Sequence, residues 1–182
     1  MANREALREL QTRLASRLQA ARTEGSSVSS WLAVESAGSF YLLPLGQSGE
    51  IFPWVSIQAV PYTQRWFLGV ANLRGQLHGV VDLARFLSMP RAVPAGAQLS
   101  EGVRDASRLV AFNAALQVNA ALWVDRLMGL RNASALQLMP PVAGEGKPAF
   151  VGQCMRDEQG RSWYELNLAA LAADESFLKI DA

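Results

Sequence analysis

The sequence predicts a mainly β protein built as two small barrels. Three observations lead there. After Trp31, apolar residues come in short runs separated by Gly, Ser, Asn and Pro, the pattern of strands and tight turns. No crossover helix separates one run from the next, which argues against a parallel α/β sheet. The two halves also echo each other. Phe67-Leu68-Gly69 opens a passage in the first half, and Phe150-Val151-Gly152 opens one in the second. Gly75 precedes Asp82-Leu83 by the same steps that separate Gly160 from Asn167-Leu168. A repeat of all-β units with frequent turns points to two small barrels.

The elements follow in order. Leu7, Leu10, Leu14, Leu18 and Ala21 recur at helical steps among Arg and Glu, so residues 2–23 read as an amphipathic helix. Gly25-Ser26-Ser27 ends it. Trp31–Glu35 and Phe40–Leu45 flank Ser36-Ala37-Gly38-Ser39 as a hairpin, and Glu50–Val60 is a further apolar passage broken by Pro53. Gly69–Leu87 reads strand, turn, strand and short helix. Residues 88–107 are rich in Pro, Gly, Ser and Ala and read as a long loop between halves. Arg108–Phe112 and Leu116–Leu127 form a second hairpin, a loop spans Met139–Pro148, and a last hairpin spans Phe150–Leu166. A C-terminal helix runs to about Phe177. The expected organisation is a helix over 1–28 and a β region over 29–182, with one barrel at 29–90 and the other at 104–182.

Composition narrows the function classes. The chain has 182 residues, 17 Lys+Arg and 16 Asp+Glu, so it carries no basic field for nucleic acid or anionic lipid. Cys154 is the single cysteine and cannot pair within the chain. The N-terminal stretch is charged throughout, without the apolar core of a secretory signal. No apolar run is long enough to insert into a membrane, and a cytoplasmic location is expected.

Catalytic constellations are missing. His78 is the one histidine and lies in a strand, where packing is its expected role. One His and one distant Cys make no metal cluster, and no phosphate loop, dinucleotide fingerprint or nucleophile elbow occurs. The expectation is a non-enzyme with no cofactor and no metal. Asp157-Glu158 reads as a solvated turn pair. Of the five tryptophans, most are expected in the core, whereas Trp54 and Trp66 lie near loops and are candidates to anchor a partner.

The bend at Arg74-Gly75 poses a geometric question. A two-residue type I′ loop would force Arg74 to positive φ, so the expected solution is a type I turn over Leu73-Arg74 with Gly75 as a left-handed bulge. Gly75 is then structural, and the Arg74 side chain is free to choose a partner.

The stretch GVANLRGQLHGVVDLARFL resembles the signature of the CheW family, a G-V-x-N-L-R-G hairpin followed by V-D-L. Glu50-Ile51 resembles an upstream acid-plus-aliphatic pair, and Leu122-Trp123-Val124-Asp125 and Tyr164–Leu168 resemble later family segments. The resemblance covers about residues 31–178. Gly79 stands where the family commonly has proline, and Ala121 where a glycine is expected. The resemblance implies two SH3-like five-stranded barrels, CheW-like, with an N-terminal amphipathic helix and a short C-terminal helix. It implies an adaptor that binds the regulatory domain of a CheA-like histidine kinase and the cytoplasmic tip of a methyl-accepting chemoreceptor. Arg74 carries over as the binding arginine, since its planar fork suits carboxylates and carbonyls. The candidate partner-binding set is Arg74, Asn72, Gly75, Glu50, Ser48 and Trp66. Within it Asn72 also reads as turn-shaping, and Glu50, like Asp82, as a fold-supporting acid. A stand-alone adaptor with an N-terminal helix resembles the type that serves type IV pili and twitching motility. A flagellar chemotaxis adaptor is one alternative. A small-molecule-binding barrel using His78, Asp82 and Arg85 is another.

Overall fold

A computed structural model describes residues 30–88, 101–140 and 147–182, with the backbone alone at Glu101. The amphipathic segment 2–23 and the boundary at 28 lie outside the described residues, as does the stretch 89–100 of the expected loop. The strands are β1 (Ser30–Ser36), β2 (Ser39–Pro44), β3 (Ser48–Pro53), β4 (Phe67–Leu73), β5 (Gln76–Asp82), β6 (Arg108–Phe112), β7 (Ala120–Val124), β8 (Arg126–Asn132), β9 (Gln137–Leu138), β10 (Val151–Arg156) and β11 (Ser162–Leu166). The helices are short: α1 (Leu83–Phe86), α2 (Glu101–Ala106), α3 (Leu168–Ala172) and α4 (Glu175–Leu178).

Two mixed sheets result, ordered β8-β1-β2-β11-β10-β9 and β3-β6-β7-β5-β4. Their pairing follows one plan. An antiparallel hairpin, β1-β2 or β6-β7, takes a parallel strand on its second member, β11 or β5. The antiparallel partner of that strand follows, β10 or β4. The outer neighbour of the hairpin is β8 or β3.

The internal repeat is therefore present, but the sheets are not the two halves of the chain. The expected split into barrels at 29–90 and 104–182 is corrected by the strand order: each sheet takes its leading hairpin from one repeat and its remaining strands from the other. The hairpins are exchanged. The physical reason is that β2 and β7 are buried strands, which need a neighbour on both edges.

Alternation within the strands builds three cores. Leu32 and Val34 of β1, Val110 and Phe112 of β6, and Leu122 and Val124 of β7 meet in a central core between the sheets, with Leu166, Leu168, Leu171 and Phe177. The intervening Trp31 and Ala33 join Leu42, Met155 and Trp163 on the other face of the first sheet. Leu109, Ala111, Ala121 and Trp123 do the same in the second, with Leu73 and Val80. A strand apolar on both faces has no polar alternation, which is why these runs read as continuous. Each fully buried Leu or Val contributes roughly 1.5–3 kcal/mol.

Corresponding positions of the repeat cap corresponding helices. The Asp82 carboxylate accepts from the Arg85 amide at the start of α1, and the Asn167 amide oxygen accepts from the Ala170 amide at the start of α3. Gln47 fastens α3 from outside: its Oε1 accepts from the Leu168 and Ala169 amides at 2.7 and 3.2 Å. Gly79 donates its amide to the Asn119 carbonyl at 2.9 Å, a bond proline could not make.

Further differences from the sequence reading are local. Part of the expected 88–107 loop is α2. The strand expected over Leu116–Leu127 begins only at Ala120 and stops at Val124, preceded by a 3-10 turn at Ala114–Leu116. β8 and β9 were not anticipated: Arg126–Asn132 is half polar, and its bulge opposite Ala33/Val34 hides the alternation. The C-terminal helix is two, because Asp174 stops α3 and caps α4 through bonds to the Ser176 and Phe177 amides.

Candidate functional site

The hairpin between β4 and β5 is closed by two residues. Leu73 pairs with Gln76, so only Arg74 and Gly75 are left for the loop. Both adopt the left-handed region, φ 50° and 84°. This is the type I′ geometry, and the expected type I turn with a bulge is corrected. Register decides it. Leu73, Ala71 and Val80 all point into one core, and a slip of one residue would turn those side chains out. The Asn72 side-chain oxygen accepts from the Gly75 amide at 2.7 Å and holds the loop shut. Asn72 is thus turn-shaping, as expected. Gly69 is also required: a Cβ there would lie 2.1 Å from the Gln58 carbonyl oxygen. That approach lets Gln58 and Val70 exchange two 2.8 Å backbone bonds along the outer edge of β4.

Arg74 and Glu50 come together. The guanidinium Nη2 lies 2.9 Å from the Glu50 Oε1. Glu50 sits where the β3 register shifts against β6, between Ser48 and Ile51. β3 and β4 are the two outer strands of the five-stranded sheet, so the ion pair joins its two edges. The Arg74 side chain is 76% exposed and that of Glu50 is 42% exposed. An exposed pair contributes about 0–1 kcal/mol, so it orients the arginine more than it stabilises the fold. One carboxylate oxygen occupies one end of a five-donor fork, and the remaining donors face outward. Two exposed aliphatics accompany it: Leu77, which faces Asn72 across the hairpin, and Ile51, which follows Glu50. Sequence reasoning assigned no role to Leu77. Its signal was an aliphatic beside the turn, outside the run that fills the core.

The other candidates are elsewhere. Ser48 is buried and its hydroxyl donates to the Pro44 carbonyl at 3.1 Å. Its expected role in partner contact is corrected to one in the β2–β3 turn. Trp66 is half-buried at the far end of β4, about 26 Å along the strand from Arg74. It packs edge-on to Phe86 at 5.1 Å and stacks on Phe177 at 6.1 Å. There it lines an open groove with Arg85, Phe86, Phe150, Ala170 and Asp174. His78 is buried, with Nδ1 3.2 Å from the Gln76 carbonyl. Asp82 is fully buried and pairs with Arg85 at 3.4 Å. These two groups serve the start of α1.

The Asp157 reading is corrected as well. Asp157 is buried, not solvated. Its carboxylate accepts from the Trp163 indole at 3.0 Å and the Arg161 amide at 2.8 Å, beside the Arg161 guanidinium. Burial pushes the carboxyl pKa up, but the Trp163 and Arg161 bonds and the Arg161 charge outweigh it and hold the group below its ordinary value.

Comparison with known proteins agrees with the geometry. The CheW-like domain matches residues 30–176. Protein PilI of Pseudomonas aeruginosa is 29% identical over 159 residues, covering 85% of this chain and 82% of that protein. The crystal structure of scaffolding protein TtCheW from Thermoanaerobacter tengcongensis superposes with a TM-score of 0.61 at 22% identity, over 78% of this chain and 85% of the other. A matched domain spanning all eleven described strands, the shared fold and the N-L-R-G hairpin lead to one conclusion: the chain belongs to the CheW-like domain family.

Proposed function

We propose that this chain is a non-catalytic adaptor that couples a chemoreceptor's cytoplasmic tip to a CheA-like histidine kinase, in an array that governs type IV pili and twitching motility. The observation that carries the reading is Arg74. It is an exposed fork, aimed by Glu50, on a hairpin whose backbone left-handed arginine is disfavoured by about 1–2 kcal/mol. A residue kept in such a conformation at a solvent-facing tip is a candidate for function. Arg74 and Asn72, with Gly75 closing the turn, form the partner-binding hairpin together with Glu50 of β3; Trp66 faces the separate groove. Bringing receptor and kinase onto one scaffold raises their effective concentration and orients the kinase without chemistry. The pilus assignment rests on the similarity to Protein PilI. On this reading the protein works in the cytoplasm. Among the described residues no helix is long and apolar enough to cross a membrane.

Arg74→Glu is expected to abolish co-purification with receptor or kinase while leaving the circular dichroism spectrum unchanged. Undiminished association with both partners would rule out the assignment. Deletion of the gene is expected to abolish twitching and spare swimming, and the reverse outcome would move the adaptor to a flagellar system.

A further inference from the structure

We propose that the segment 174–182 is a strap beside the Trp66 groove, which lifts as one unit while both sheets stay folded. A single side chain fastens it. Within the segment only Phe177 is buried; Glu175, Ser176 and every residue from Leu178 to Ala182 are exposed. The Phe177 ring sits in a slot between two others. It stacks on Trp66 at 6.1 Å and on Phe112 at 5.6 Å, with interplanar angles of 8° and 7°, and meets Phe86 edge-on at 5.3 Å. Asp174 caps α4, accepting from the Ser176 and Phe177 amides, and so sets the turn that brings Phe177 inward.

The rest of the strap is tied at the surface. The Gln64 amide donates to the Ile180 carbonyl at 2.8 Å, and the Ala182 amide to the Tyr62 carbonyl at 3.1 Å. The Gln64 Nε2 donates to the Asp181 carbonyl at 2.7 Å, also in solvent. Thr63 and Asp181 form an isolated bridge that belongs to neither sheet. The Tyr62 side chain is 90% exposed, so the strap is received there by backbone. One buried ring and a few exposed bonds mark a segment that opens well below the global unfolding free energy. Lifting also restores the backbone freedom of the whole segment, which opposes closure. What the strap covers gives lifting its consequence. Asp174, Glu175 and Ser176 form one wall of the groove lined by Trp66, Phe86 and Phe150. With the strap up, the ring faces of Trp66 and Phe112 that Phe177 covers join Phe86 as one aromatic floor. The strap thus sets how much aromatic surface the groove presents.

The test is hydrogen exchange of the full chain over a series of low urea concentrations. The Gln64 amide lies outside both sheets and its acceptor is on the strap, so it reports lifting from across the contact. The amides of β7, a strand paired on both edges, report global unfolding. Gln64 and Ala182 are expected to show similar protection, about a hundredfold below that of β7. Their exchange is expected to respond only weakly to urea, because lifting exposes little surface. Leu122→Ala is expected to speed exchange in β7 and leave Gln64 unchanged. Gln64 that exchanges in step with β7, in either chain, would overturn the proposal, since the strap would then be part of the global fold. Free exchange at Ala182 with Gln64 as protected as β7 would also overturn it, reducing the motion to fraying at Ala182.

Discussion

At the scale of single residues, Arg74 combines a structural cost with an exposed guanidinium. Its φ of 50° suits Asn far better, because Asn-Gly is the preferred pair for a type I′ loop. Arg74→Asn is therefore expected to raise stability by up to about 1 kcal/mol, read as a higher urea midpoint, while partner association is lost. A variant that loses stability would contradict the strain argument. Ala37 holds the same backbone conformation at φ 49° beside Gly38, without a side chain that could bind anything. Comparison of the two turns separates the loop geometry, which both share, from the guanidinium, which Arg74 alone supplies. The N-L-R-G motif made the candidate arginine legible. Glu50 was legible as an acid, but its 2.9 Å contact with Arg74 was not, because it depends on two sheet edges meeting.

At the scale of elements, the β10–β11 hairpin is organised by one carboxylate. Asp157→Ala removes the acceptor of the Trp163 indole, and Trp163 is fully buried. Leaving that donor unpaired is expected to cost about 1–3 kcal/mol in urea unfolding. The cost depends on pH. Folding lowers the Asp157 pKa, so its stabilisation is fully present above the unfolded value of 3.8 and is lost as pH falls through the folded one. The stability gap between wild type and Asp157→Ala is expected to narrow in acid, and a gap that widened there would refute the charged role. Sequence reasoning put Asp157 in solvent because a turn acid is usually solvated. The folding of Trp163 beneath the turn, six residues on, reversed that.

At the scale of the molecule, the exchanged hairpins make each sheet depend on both halves of the chain. Leu122 lies in the central core between them and is fully buried. Leu122→Ala is expected to cost about 2–5 kcal/mol and to lower the protection of amides in both sheets together, in one unfolding transition. Two separated transitions in hydrogen exchange would show barrels that fold independently, as a split at the central loop would allow.

Sequence alone determined the β class, the short helices that follow Asp82 and Asn167, the repeat and the arginine hairpin. Each of these rests on local chemistry: turn residues, caps and alternation act within a few positions of themselves. Tertiary structure alone decided which strands share a sheet, which turn closes at Arg74, and that Ser48 and Asp157 face inward. Strand pairing joins residues far apart in the chain, and both faces of β1, β6 and β7 are apolar, so no local pattern named their neighbours. The arginine was legible because a hairpin is local; the glutamate that aims it came from another strand.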